Sequence, residues 1–365
     1  MPEGSLIGLG HSIDHLVTTS VYVRAQDRIP LVYDLYQGAR QQAGKPLTLL
    51  AAEKLLESLN PGGTVIISTG FPIPGWLEGE NDGPLGAAAI GRILAITHDI
   101  TPVFICEDFM VNGIKRVIEA SGLRVYEDIE IAKKMPLRAI VRDFPFDHAC
   151  AKEFSEQLLD EIVPSAVICI EKPAMNEKGI YHSGIGIDIS PMVAKVDYLV
   201  KSARSRNIFT LGIGDHGGEI GMGLVKDIAA EKMNFGKKCR CPCGGGCAVA
   251  TETDALVVAS ISNWGAYGVE ACLAALLGAP EIFHDQLTEK RMLETAAICG
   301  FIDSTTGLSE LIVDNVRANI HYYLIEMIAA CIKSVQRNFY ITKYEKASSN
   351  WENLQNRVLN WKANR

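Results

Sequence analysis

Six short runs rich in β-branched residues constrain this chain most: TVIIS (64–68), PVFIC (102–106), LRAIV (137–141), SAVICI (165–170), NIFTLGI (207–213) and ALVVASI (255–261). None alternates apolar with polar residues as a strand with one wet face does, so each predicts a strand buried on both sides. Helically spaced segments lie between and after them, at about 85–97, 111–121, 149–162, 191–204, 219–233 and 266–278. Two more, at 31–43 and 46–59, precede the first run. Apolar strands alternating with helices predict an α/β fold: a doubly wound, mainly parallel sheet with helices on both faces. From about 286 onward the pattern is helical, and 341–365 reads as a polar helix or tail. Residues 1–340 are expected to form a single α/β domain, with a division into two lobes left open.

Composition excludes several classes of partner. The chain has 365 residues, 48% hydrophobic and 21% charged, with a net charge of −8. Its densest basic cluster is GKKCR (236–240), which is no footprint for nucleic acid. No apolar run reaches the roughly 18 residues a membrane span needs. The first residues, MPEGSLIGLGHSIDHLV, have neither the basic-then-apolar pattern of a secretion signal nor the Arg-rich character of a transit peptide, which predicts a cytoplasmic protein. Six of the ten cysteines are scattered, mostly in apolar runs, as expected in a reducing compartment. The expected partner is a small-molecule substrate, and a homo-oligomer is compatible with the sequence.

Each strand except the third is followed by a loop rich in glycine and polar residues, and in a parallel sheet those loops share one edge, where ligands bind. The loop GDHGGE (214–219) completes a G-x-G-x-x-G pattern with Gly212, Gly214 and Gly217. As a dinucleotide cradle it fails, because Asp215 would face the pyrophosphate and the next strand ends without an acid. Asp215 and Glu219 are four apart, a spacing that puts two carboxylates on one face of a helical turn. Asp82 in NDGPLG and Glu171 after SAVICI wait at the same edge. Carboxylates gathered there repel unless a cation or a shared proton joins them. Asp82, Glu171, Asp215 and Glu219 are therefore the candidate ligands of Mn²⁺ or Mg²⁺. In the plainer reading Asp215 is a helix N-cap.

With these blocks in view, ISTGFPIPG, NDGPLGA, CIEKPAMNEKGIYHS, GIDIS, GIGDHGGEIGMG and SNWGAYG resemble, in order, the motifs of the D-glutamate cyclase C-terminal domain family. The resemblance implies an enzyme that closes D-glutamate into 5-oxo-D-proline with loss of water. It places Asp82, Glu171, Asp215, Glu219 and Asn263 on matching motif positions. His216 stands where that family usually has Gly, Gly218 where Asn is common, and His182 where some members have Asn.

Lactam formation needs a proton removed from an ammonium, a carboxylate polarised and a hydroxide protonated as it leaves. The bound cation is expected to act as Lewis acid and Glu171 or His182 as base. For His182 the plainer role is a loop histidine bonded to a neighbour. Lys172, or the amides of Ser68, Thr69 and Gly70, would hold the substrate's other carboxylate. Lys172 paired with a neighbouring acid is the alternative. Gly83 and Asn263 complete the expected substrate contacts, while Trp264 is expected in the core. Two other functions remain open: a Mn/Mg-dependent phosphatase using the same acids, and a non-catalytic small-ligand-binding protein. Separately, CRCPCGGGC (239–247) puts Cys239, Cys241, Cys243 and Cys247 within nine residues, a candidate structural Zn²⁺ site.

Overall fold

The computed structural model describes residues 3–21 and 30–336; the segment 341–365 lies outside the described residues. Helices α1 (Glu3–Val17), α2 (Leu31–Ala43) and α3 (Leu47–Ser58) lead into the central strand β1 (Thr64–Thr69). A small hairpin, β2 (Pro72–Ile73) and β3 (Glu78–Gly79), precedes α4 (Pro84–His98) and β4 (Thr101–Cys106). Next come α5 (Val111–Ala120), β5 (Arg124–Tyr126), α6 (Ile129–Ala132), β6 (Arg138–Asp143), α7 (His148–Ile162) and β7 (Ala166–Ile170). The remaining elements are α8 (Asp197–Ser205), β8 (Phe209–Gly214), α9 (Lys226–Lys232), β9 (Ala255–Val258), α10 (Ser262–Leu276) and α11 (Gln286–Ile298). A second hairpin, β10 (Ile312–Val313) with β11 (Val316–Arg317), precedes α12 (Ala318–Gln336).

Seven strands form one parallel sheet in the order β5-β6-β4-β1-β7-β8-β9. All six apolar runs are in it, and β1, β4, β7 and β9 are buried at every position, as their composition requires. The chain winds outward from β1 to β4 and β6, then returns to pair β7 on the other side of β1. Right-handed crossovers in opposite directions put helices on both faces: α4 and α10 pack together on one, α7 and α8 on the other. This is the doubly wound α/β fold that the alternation predicts.

Three expectations of local structure change. The 191–204 segment is not one helix, because Pro191 opens a single 3-10 turn and α8 starts only at Asp197. Nor is 219–233, since Gly217 and Gly221 take φ of +86° and +101° and break the turn, so that α9 starts at Lys226. Beyond 286 the helical pattern is interrupted by the β10–β11 hairpin, whose two turn residues, Asp314 and Asn315, both have positive φ, as a tight hairpin demands.

Helices α10 and α11 are locked by a buried charged cluster. His284 Nδ1 lies 2.5 Å from Glu270 Oε2 and its Nε2 3.5 Å from Glu289, while the Tyr267 hydroxyl donates to Glu289 at 2.8 Å. Burial alone would lower the His284 pKa, but the charges of Glu270 and Glu289 outweigh it and push it up to about 9. A histidine with a raised folded pKa stabilises fully below its unfolded value, 6.5, and loses that contribution as pH rises through about 9. Urea midpoints of the wild type should therefore fall between those limits, by a few kcal/mol of stability. In His284→Gln that slope should flatten; an unchanged slope would mean the imidazole is neutral in the fold.

Candidate active site

The strands on either side of the return point, β1 and β7, send their loops in opposite directions and open a crevice at the carboxyl edge of the sheet. Two helix N-termini meet there, and each is capped by a side chain from the other's loop. Asp82, in the turn before α4, accepts from the backbone amides of Ser262 (2.7 Å) and Asn263 (2.7 Å) at the start of α10. Asn263 in turn accepts from the amides of Gly83 (2.9 Å) and Gly86 (2.7 Å) at the start of α4, and donates to the Asn81 carbonyl. Gly83 has φ +99°, and a Cβ there would lie 2.6 Å from Thr69 Oγ1 and 2.8 Å from Glu171 Cβ. Only glycine brings the two loops this close.

Glu171 follows β7 with φ +46°, a left-handed conformation that costs a residue with a Cβ about 1 kcal/mol. Its amide is held by the Ile213 carbonyl, and Ser262 Oγ donates to its Oε2 at 2.5 Å. Asp215 and Glu219 come to it on a tight glycine-rich loop rather than on the helical turn their spacing predicts. Glu219 is fixed as the amides of His216 and Gly217 donate to its Oε2. Carboxylate oxygens of Glu171, Asp215 and Glu219 lie within 4.8 Å of one another, and so do those of Asp82, Asp215 and Asp314. The two groups share Asp215.

Glu80 extends the cluster. Burial, then the charges of Asp314 and Asp82, hold its pKa well above the usual carboxylate range. Asp82 is raised by burial and Asp314, against its three amide donors. For Glu171 burial leads, followed by Asp215 and Glu219; for Glu219 burial outweighs the loop amides. Together these acids carry more buried negative charge than the protein around them offsets, so they keep protons or hold a cation.

A cleft of about 740 Å³ is lined by Glu80, Glu171, Asp215, Glu219, Asp314 and the hydroxyl residues Ser183 and Ser304, while Asp82 is buried outside the lining. Phe71, Trp76, Ile185 and Ile187 supply an apolar wall. Among the described residues no lysine or arginine lines it. Ser68, Thr69, Gly70, Gly83 and Asn263 are not in the lining; they sit beneath it, where they carry the loops. Lys172 is likewise elsewhere. It is fully buried and its Nζ lies 2.5 Å from Glu107 Oε1 and 3.3 Å from the Gly70 carbonyl, so its charge is spent on an internal ion pair. Trp264 is in the core, its indole N–H donating to His321.

His182 lines the cleft, yet its Nε2 faces sulfur: it is 3.3 Å from Cys241 Sγ and 3.6 Å from Cys243 Sγ. Cys239, Cys241, Cys243 and His182 form one close group, while Cys247 stands apart in the cleft lining. Sequence reasoning passed over Glu80, Asp314, Ser304 and Ser183. For Asp314 a signal existed, since Val-Asp-Asn-Val has the form of a two-residue hairpin turn. Glu80 had none, because the β2–β3 hairpin and a bridge to Ile302 place it.

A crevice at the switch point of a parallel sheet, holding buried acids and one unpartnered hydroxyl, that of Ser183, beside an apolar wall, is the small-molecule site of an α/β enzyme-like domain. The chain belongs to the family described as D-glutamate cyclase-like, C-terminal, which matches residues 31–329. It is 27% identical over 248 residues to a Homo sapiens protein named D-glutamate cyclase, mitochondrial. That match covers 62% of this chain and 36% of the human protein, so the chain spans about a third of the length of the curated relative it matches.

If Lys172 serves the Glu107 pair, Lys172→Met should cost about 3–5 kcal/mol in chemical denaturation, because it leaves a buried carboxylate alone. Lys172→Met combined with Glu107→Leu should recover much of that. Wild-type stability in the single variant, with ligand affinity lost, would return Lys172 to the substrate.

Proposed function

We propose that the chain is a lyase that cyclises D-glutamate, or a closely related amino acid, to 5-oxo-D-proline with loss of water. The observation that carries this reading is the convergence of Glu80, Glu171, Asp215, Glu219 and Asp314 on one cleft without a lining lysine or arginine, with Asp82 buried behind them within reach of Asp215 and Asp314. A substrate bearing two carboxylates and an ammonium can enter such a cleft only if its carboxylates meet a cation or hydroxyl and amide donors. The surplus buried charge and the oxygen-only donor set fit Mn²⁺ or Mg²⁺, held by Asp82, Asp215 and Asp314 or by Glu171, Asp215 and Glu219. Such an ion supplies Lewis-acid polarisation of the carboxylate under attack.

The protein's own groups account for the rest. Glu171, its pKa held well above the usual carboxylate range by burial and by Asp215 and Glu219, is the carboxylate we assign to proton transfer. It removes a proton from the substrate ammonium, and the freed amine attacks the distal carboxylate carbon. As the new N–C bond forms and a C–O bond breaks, the two protons lost by nitrogen leave with the oxygen as water. Ser262 orients Glu171 through its 2.5 Å hydrogen bond. Ser183, buried in the lining with no protein partner for its hydroxyl, donates to the substrate's other carboxylate. Phe71, Ile185 and Ile187 take the methylene chain. The ring of His182 faces sulfur, which leaves the base role to Glu171.

One observation favours a second reading. Two carboxylate groups that share Asp215 resemble the donor set of a two-metal phosphomonoesterase. Assays of the metal-loaded chain with D-glutamate, L-glutamate and a general phosphomonoester separate the two. Cyclisation of D-glutamate, lost on chelation and restored by Mn²⁺ or Mg²⁺, is expected to fall roughly 10²–10⁴-fold in Glu171→Gln and at least as far in Asp215→Asn. Phosphate release without 5-oxoproline would replace the cyclase reading.

The charge cluster also sets a pH dependence. Acids whose folded pKa is raised bind more protons folded than unfolded, so stability falls as pH climbs from the ordinary carboxylate range toward neutrality. In the metal-free chain Tm should drop over that window, and saturating Mn²⁺ should restore it most at the higher pH, by about 3 kcal/mol at a hundredfold excess over Kd. A Tm indifferent to both pH and cation would remove the cation from this site.

A further inference from the structure

The thiol group beside the cleft is built from two segments far apart in sequence. His182 comes from the long loop after β7, and Cys239, Cys241 and Cys243 from the loop after α9. Their ligand atoms all lie within 4.8 Å of one another. Cys239 Sγ is 3.4 Å from Cys241 Sγ and 3.3 Å from Cys243 Sγ, while His182 Nε2 is 3.3 Å from Cys241 Sγ and 3.6 Å from Cys243 Sγ. Around a tetrahedral zinc with Zn–S of about 2.3 Å and Zn–N of about 2.0 Å, ligand atoms sit roughly 3.5–3.8 Å apart. The four distances given, 3.3–3.6 Å, are close to that spacing, and the other two pairs lie within 4.8 Å.

We propose that Cys239, Cys241, Cys243 and His182 bind a structural zinc ion that clasps the two loops forming one wall of the cleft. Three further features support it. Polar donors point at the sulfurs: the Gly245 amide reaches Cys243 Sγ at 3.3 Å, and Asn176 Nδ2 reaches the same atom at 3.7 Å. Such N–H···S contacts orient and stabilise metal-bound thiolates. Positive charge is near in the chain as well: Lys237 and Lys238 precede the cysteines, Arg240 lies between two of them, and Lys178 donates to the Cys243 carbonyl. Finally, the two loops are joined directly beside the group, through Arg240 N to the Gly186 carbonyl (2.9 Å) and Asn176 Nδ2 to the Gly246 carbonyl (2.8 Å). Soft thiolates with one imidazole select zinc over the Mn²⁺ or Mg²⁺ that the carboxylates favour, so the two centres do not compete for one metal. A disulfide between any two of these cysteines would leave the third thiol and His182 converging on nothing.

The fourth ligand is thus His182 and not Cys247, whose thiol stays in the cleft lining. Ser183 and Ile185 follow the histidine directly, and Met233 and Asn234 precede the cysteines, so the clasp fixes wall residues from both loops. It does so whatever reaction the cleft performs.

The test is metal analysis of the purified full chain after dialysis against a weak chelator. About one zinc per chain is expected, a four-ligand closed site. It should be retained in Cys247→Ser and Asp215→Asn and lost in Cys241→Ser and His182→Ala. Because a ligand variant can fail to fold, Co²⁺ exchanged into the wild-type chain provides a second readout: thiolate-to-cobalt charge transfer with the intense visible bands of a tetrahedral site. Absence of zinc together with no such spectrum would overturn the proposal. So would iron in place of zinc, or zinc that survives Cys241→Ser and His182→Ala but is lost in Asp215→Asn.

Discussion

The reciprocal cap between Asp82 and Asn263 is the contact on which the site depends. Two helices on the same face of the sheet, α4 and α10, begin at the same crevice, and each would otherwise bury amides with no partner. Asp82 satisfies the start of α10 and Asn263 the start of α4, so neither loop can move without exposing the other's donors. The link joins residues that are distant in the chain, and it fixes the turn from which Glu80 and Asp82 reach the cleft. Gly83 is the geometric condition for it, since a side chain there would push Thr69 and Glu171 apart.

On that frame the fold gathers groups that oppose its own stability. Glu171 is held in a left-handed conformation and surrounded by other acids, and burial raises its pKa further. Strain and like charge at one point, supported by a hydrogen-bonded pair of helix caps, are the marks of a site organised for a ligand rather than for folding. Lys172 shows the contrast. Adjacent in sequence to Glu171, it turns the other way and is neutralised by Glu107, so neighbours in the chain serve opposite ends: one stabilises the sheet edge, the other is left for chemistry.

The sheet was legible because its signal is local: a strand buried on both faces must be apolar throughout, and the six runs are. The edge strand β5 escaped since its three residues, Arg124 to Tyr126, are partly exposed and carry no such run. Asp82, Glu171, Asp215 and Glu219 were found from their places after strands, as topology alone brings those loops to one edge. The route by which Asp215 and Glu219 meet was misread, because spacing of four suits a helix and only the left-handed glycine between them turns the chain otherwise. Glu80 and Asp314 depend on how the two hairpins fold back over the crevice, which periodicity does not encode. His182 was read as a candidate base from its type and its loop. What it touches is decided by a segment that follows two helices and a strand later.

That last point bears on how the cleft is divided between its two walls. Asp82, Glu171, Asp215 and Glu219 come from loops anchored directly on strands and helix caps, so their positions inherit the rigidity of the sheet. The opposite wall, around Ser183 and Ile185, belongs to a long loop with little regular structure, joined by isolated bridges such as His182 with Asp188. A wall of that kind can place a hydroxyl and two isoleucines accurately against a substrate only if something other than secondary structure holds it. Tyr181, buried with Phe71, Met175, Ile189 and Val193 and bonded to Asp197, anchors the loop from beneath, and Phe235, packed on Gly186 with Arg240 over its ring, joins it to the cysteine loop. The acids on one side therefore rest on backbone hydrogen bonds, and the shape of the other wall on a buried tyrosine and on the meeting of two loops.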